Sequence, residues 1–374
     1  MLRQRLHTFQ YPFIDKIKSI DYFLIFLILL LAVISFMVMY STDGGKIAYH
    51  TKNHIIRFSV FFVLFLFLSF VRTKFWFLSS YVFYLIILAM LVIVFYFGVT
   101  ASGSQRWINL YFINIQPSEL MKISIIICLA RHYHRMQNTD VQSFKNIIQP
   151  LFLLTIPCFY VIAQPDLGTA ILIAISGIIV MWIAGLDIKY FVYSGLTLIV
   201  SAPFIISLLK PYQKLRILTF FNPERDPLGA GYQIIQSKIA IGSGGFFGKG
   251  FLKGTQSYLE FLPEKHTDFI FTLFAEEFGF IGCLFLFLIY ILLIYRIIRI
   301  GFLSRSFFAK LYCFGFGAAI FTYMFVNMSM VLGMLPIVGS PLPILSYGGS
   351  SMMTIMIGLA IVMGCKIYSE DQIS

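Results

Sequence analysis

From end to end this chain carries uninterrupted apolar runs of the length that a lipid bilayer demands. Tyr22 to Tyr40 is one of them, a block made almost wholly of Leu, Ile, Phe, Met and Val. A helix needs about 20 residues to cross a hydrocarbon core of about 30 Å. Inside lipid every backbone N–H and C=O must find a partner within the structure, so only helices and closed barrels qualify. A barrel would read as alternating segments of about ten residues, which these continuous blocks do not resemble. The sequence therefore predicts an all-α integral membrane protein. Composition agrees: of 374 residues, 59% are hydrophobic and 12% charged, with a mean hydropathy of +0.87, beyond what the core of a soluble domain requires.

About ten transmembrane helices are expected, near 22–40, 55–71, 76–98, 118–135, 148–163, 168–184, 190–209, 269–295, 309–335 and 348–366. No small-residue cleavage site follows the first run before Asp43, so it reads as a retained helix and not as a signal peptide. The five cysteines fall in or beside apolar runs and read as free thiols. The formal charge of +12 is dispersed between spans, which argues against a nucleic-acid stripe. Basic residues concentrate in alternate connections, and the positive-inside rule then places both termini in the cytoplasm. The one long connection, 210–267 between the seventh and eighth helices, falls outside. Within it Tyr232 to Ile241 has an apolar face suited to an interfacial helix, and Gly242 to Gly250 ends that helix and turns the chain. A single polytopic domain, 1–374, accounts for the whole.

Chemistry-bearing residues gather on the outer side. Glu264, Lys265, His266 and Asp268 arrive at the start of an apolar helix, where water meets bilayer. A carboxylate there can keep its charge while a lipid-linked reactant approaches, but Thr267 and Asp268 also suit a plain N-cap and first-turn acid. Glu264, His266 and Asp268 alternate as metal ligands might, on a loop where such spacing says little. Glu276 lies about two turns deeper and needs a cavity or a partner. Glu119 and Lys122 share a helix face at three-residue spacing and can pair, or Lys122 can meet a phosphate. Arg106 sits in a short outer loop beside Trp107, an interfacial anchor. Asp166 opens the sixth span in cap fashion. Ser340 to Ser351 breaks the last helix connection with two prolines and a glycine pair, and irregular backbone at that depth must be buried or line a cavity.

SGSQRW, QPSE, AQPDLGT, DPLGAGYQIIQSKIAIGSGG, GTQS, LEFLPEKHTDFIF, AEEFG and LPILSYGGS occur in this order. Together they resemble the SEDS family (shape, elongation, division, sporulation) of bacterial cell-wall polymerases. GTQS followed by LEFLPE matches the RodA-like elongation branch better than the FtsW-like division branch. The resemblance implies a peptidoglycan glycosyltransferase that polymerises lipid II into glycan strands at the outer face of the inner membrane during elongation. It also implies a class B penicillin-binding protein as transpeptidase partner, alongside other membrane proteins of the elongation complex. Asp268 matches the family's essential carboxylate and is the expected general base of an inverting displacement of undecaprenyl pyrophosphate. Arg106, Glu119, Lys122 and Asp166 match polar positions of its outward cavity, and His266, Thr267 and Ser346 flank them as substrate-binding candidates. Lys265 stands where close relatives carry arginine. No metal ligand is assigned, and a divalent cation, Mg or Mn, is left open. The rival readings are a lipid II flippase or scramblase and a noncatalytic scaffold of the elongation machinery, since a transporter also needs intramembrane charges and broken helices.

Overall fold

The computed structural model describes residues 13–101, 104–109, 114–136, 141–208, 211–226, 229–254 and 265–373. Each of the ten expected spans is a helix. Counting a short leading helix α1 (Phe13–Lys18), they are α2 (Tyr22–Thr42), α3 (Tyr49–Ser69), α4 (Thr73–Phe97), α5 (Pro117–His134), α6 (Phe144–Ala163), α7 (Leu167–Ile183) and α8 (Ile188–Leu208). Two further helices, α9 (Pro211–Phe221) and α10 (Ala230–Gly244), fill much of the long connection, and α11 (Ile270–Leu303), α12 (Phe307–Val331) and α13 (Gly349–Ile367) complete the bundle. Among the described residues, seven helices are long and apolar enough to cross a membrane. Phe67, Phe97, Ile199 and Val200 are among the large side chains exposed on the flanks, where lipid tails are as apolar as they are.

α5 departs from that pattern for a physical reason. It carries Glu119, Lys122 and Arg131, too many charges for a lipid-facing helix, and it is buried along nearly its whole length against α4, α7, α12 and α13. The bundle replaces lipid as its surroundings. α2 starts where Asp21 caps it, accepting from the Leu24 N–H at 3.0 Å while pairing with Arg296 of α11 at 2.6 Å.

α11 is broken at Gly279, whose φ of 64° is cheap only without a Cβ. The break would orphan backbone groups at membrane depth, but the glycine-rich turn after α10 supplies partners. Lys249 and Gly250 N–H groups donate to the Glu276 and Glu277 carbonyls, each at 3.0 Å, and the Phe280 and Ile281 N–H groups donate to Gly245 and Phe246. A Cβ on Gly248 would lie 2.1 Å from the Glu277 carbonyl oxygen, so the turn fits only as glycine. Glu276 finds its partner here, Lys249 at 2.7 Å, and Glu277 accepts from the Ser41 hydroxyl.

The two ends of the bundle differ. At one, α1 and the C-terminal segment meet: Lys16 lies over the Tyr368 ring, Ser369 accepts from the Arg305 N–H, and the Ile373 carbonyl meets His134. At the other, the loops bearing Asp43, Arg106, Asp166, His266 and Tyr347 converge. The short outer loop expected around Arg106 forms a small antiparallel sheet of β1 (Val99–Ala101), β2 (Ser104–Asn109) and β3 (Asn114–Ile115), with β2 in the middle. Trp107 opposes Val99 in its register.

Candidate active site

Thr267 and Asp268 are not helix caps. α11 begins at Ile270 with Phe269 as its N-cap, and the two residues lie in the turn before it. That turn is held carbonyl by carbonyl. The His266 oxygen accepts from the Tyr347 N–H at 2.9 Å, the Thr267 oxygen from the Ser346 hydroxyl at 2.6 Å, and the Asp268 oxygen from the Asn327 amide at 2.9 Å. Asn327 is fully buried in α12 and also donates to the Ser340 carbonyl at 2.6 Å. Helix α12 and the 340–348 segment thus clamp the backbone of Asp268 from two sides. Gly339, at a φ of 69°, lets its backbone approach the Asp268 carboxylate: a Cβ there would sit 3.4 Å from Oδ2.

Asp268 lines a narrow cavity of about 220 Å³ together with Arg106, Glu119, Asp166, Gln116 and Ser351. Motif residues far apart in sequence, from Arg106 to Ser351, therefore meet. Asp166 caps α7 as expected, accepting from the Thr169 N–H at 3.1 Å. Its other oxygen takes Gln116 at 3.2 Å and faces Arg106 at 3.5 Å. Arg106 also donates to the Pro165 carbonyl at 2.7 Å. Glu119 holds Lys122 at 2.6 Å, both buried, with the ammonium 4.6 Å from the centre of the Tyr323 ring. Lys122 borders neither this cavity nor its neighbour among the described residues. Trp107, expected as an interfacial anchor, lines both cavities.

Two substrate-binding candidates sit elsewhere. Ser346 is buried beneath the turn, accepting from the Leu342 N–H while it holds Thr267. His266 stacks on His50 at 3.9 Å and shares a contact with the Thr42 hydroxyl at 3.1 Å. Asp43 joins this group through His50 at 3.3 Å and through both Thr51 donors. Burial, helped by His50 and Lys265, pushes the His266 imidazole down to about 4 against the pull of Asp43. Burial works against Asp43, but the two Thr51 bonds and the neighbouring histidines hold its carboxyl below the usual range. Glu264, the other candidate ligand, lies outside the described residues.

The second cavity, about 490 Å³, lies across the wall formed by Trp107, Thr267, Tyr347 and Gly348 and includes Arg57. Arg57 is not among the residues that the sequence motifs single out. Its signal was a position inside the third helix, one turn below His54 and amid apolar residues.

These features define a polytopic helical membrane protein with a carboxylate-rich cavity at one end of its bundle. The model of the cell cycle protein family FtsW/RodA/SpoVE matches residues 19–371. The chain is 41% identical over 362 residues to the peptidoglycan glycosyltransferase MrdB of Escherichia coli K12, spanning 96% of each. Its fold is similar to a chain in a peptidoglycan synthase complex described as coordinating polymerization and crosslinking, with a TM-score of 0.80 and 28% identity over 93% of this chain and 97% of that one. It is also similar to the rod shape determining protein RodA of Thermus thermophilus, with a TM-score of 0.71 and 23% identity over 94% and 98%. The chain belongs to the FtsW/RodA/SpoVE family, the SEDS family of its sequence motifs.

Proposed function

We infer that this chain is a peptidoglycan glycosyltransferase of cell elongation, polymerising lipid II at the periplasmic face of the bacterial inner membrane with a class B penicillin-binding protein as partner. The observation that carries the reading is Asp268, held rigidly at a polar cavity where a membrane-embedded bundle opens. The reaction is a single displacement. The oxygen of an acceptor 4-hydroxyl forms a bond to the donor C1, the C1–oxygen bond to undecaprenyl pyrophosphate breaks, and the hydroxyl proton passes to Asp268. A positioned base of this kind typically contributes about 10² to 10⁴ in rate, and the clamp on its backbone limits the loss that misplacement would bring.

The other cavity groups suit recognition of a sugar. Arg106, Gln116, Asp166 and Ser351 offer donors and acceptors at fixed positions. Asp166 is engaged by Thr169, Gln116 and Arg106, and Glu119 by Lys122, so a divalent cation at this cavity would draw on Asp268, on water and on the substrate's own phosphate oxygens, the mixed set that Mg²⁺ commonly accepts. The Asp43, His50 and His266 group offers two stacked imidazoles and one carboxylate, a softer set whose ring packing opposes a shared ion. The proton transfer and the positioning assigned above belong to the chain's own residues. The test is incubation of the purified protein and its transpeptidase partner with labelled lipid II in detergent. Glycan strands are expected, whereas intact lipid II throughout would favour a flippase or scaffold.

A further inference from the structure

The wider cavity holds a positive charge that the reading above leaves unused. Arg57 projects from α3 with its guanidinium 4.5 Å from the centre of the Tyr347 ring and its Nε close to Gly349. Asn109, Asn114 and Trp107 share the space, and no carboxylate among the described residues lines it. α13 also begins there. Its N-cap, Gly348, has no side chain with which to satisfy the first-turn N–H groups, so the positive end of a 19-residue helix lies where the two cavities meet, with Gly349 on the side of Arg57 and Ser350 and Ser351 on the other.

The narrow cavity has the opposite character. Glu119, Asp166 and Asp268 line it against Arg106, which is already engaged by Asp166 and the Pro165 carbonyl. A diphosphate is repelled by such a wall and attracted by the other. Lys122, the alternative cation, is buried and spent on Glu119.

We propose that Arg57 and the first turn of α13 form the diphosphate subsite for the lipid-linked donor, an assignment that rests on the polymerase reading. The donor sugar then crosses the shared wall of Thr267 and Tyr347 toward Asp268. As the C1–oxygen bond breaks, its electron pair leaves with the diphosphate, and the charge that develops lies beside the guanidinium. Arginine suits this role because its planar fork can meet two phosphate oxygens at once.

The test uses the full-length protein in detergent and two probes, undecaprenyl diphosphate and undecaprenol. Arg57→Gln should weaken the diphosphate lipid roughly ten- to a hundredfold, the value of a lost charge-assisted bond, and leave undecaprenol unchanged. Arg57→Lys should recover part of the loss. Unchanged diphosphate affinity in Arg57→Gln, or equal loss of both lipids, would overturn the subsite. Should Arg57→Gln fail to insert, the wild type decides: rising ionic strength should weaken the diphosphate lipid selectively, and parallel behaviour of the two probes would overturn the proposal. Inorganic pyrophosphate that displaces the lipid as well as the lipid itself does would make this a site for soluble anions and overturn the lipid assignment. Selective binding by a protein that forms no glycan would sustain the subsite while sinking the polymerase reading.

Discussion

At the scale of single residues, the site separates groups that do chemistry from groups that hold them. Glu119 and Lys122 belong to the second kind, because their 2.6 Å pair is buried in α5. Removing one partner strands the other charge, a change that costs about 3–5 kcal/mol in buried pairs. Glu119→Ala and Lys122→Ala should therefore lower the unfolding temperature together, and the double change to Gln and Met should recover most of it. Single variants that unfold like the wild type yet polymerise nothing would assign Lys122 to substrate instead. His266 makes a prediction about pH. An imidazole that titrates at 6.5 when unconstrained is held near 4 here, so between those values the unfolded chain binds a proton that the fold does not. Stability should be flat above about pH 6.5 and fall as pH drops through that window. His266→Asn should flatten this slope in thermal unfolding scans, and an unchanged slope would point to other groups.

At the scale of elements, the fold gains precision where helices stop being regular. The turn at Asp268 depends on Asn327, one amide that serves the Asp268 and Ser340 carbonyls together. Asn327→Ala leaves both without that donor and frees the turn. A displacement of about 1 Å can cost 10²-fold in rate, so kcat should fall by roughly that factor while KM for lipid II changes little. Full activity would show that Ser346 and Tyr347 suffice. Sequence periodicity made the helices legible because apolar length alone sets them. It could not show that the Gly245–Gly250 turn repairs the broken ladder of α11, since those partners are paired only in three dimensions. Nor could spacing rank Ser346 and His266 below Asp166, because all three are polar residues near helix ends and only packing separates a support from a cavity wall.

At the scale of the whole molecule, the charge pattern along the chain already implied two unlike ends, and the motif order implied that Arg106, Asp166 and Asp268 share one of them. Arg57 escaped because a lone arginine near a helix start reads as solvated until the fold turns it over Tyr347. Sidedness is testable directly. In a variant without the five native cysteines, Lys253→Cys, exposed on the cavity-bearing side, should react with a membrane-impermeant thiol reagent in intact spheroplasts. Arg305→Cys, exposed at the end where α1 and the segment after α13 meet, should react only after lysis, and the reverse pattern would invert the topology. The claim on which the rest depends is that Asp268 takes the proton. The most direct measurement is the rate of glycan formation from labelled lipid II by Asp268→Asn, a near-isosteric change, in the same complex with the transpeptidase. The account predicts normal insertion and a rate lower by about 10² to 10⁴, and polymerisation at a near wild-type rate would contradict it.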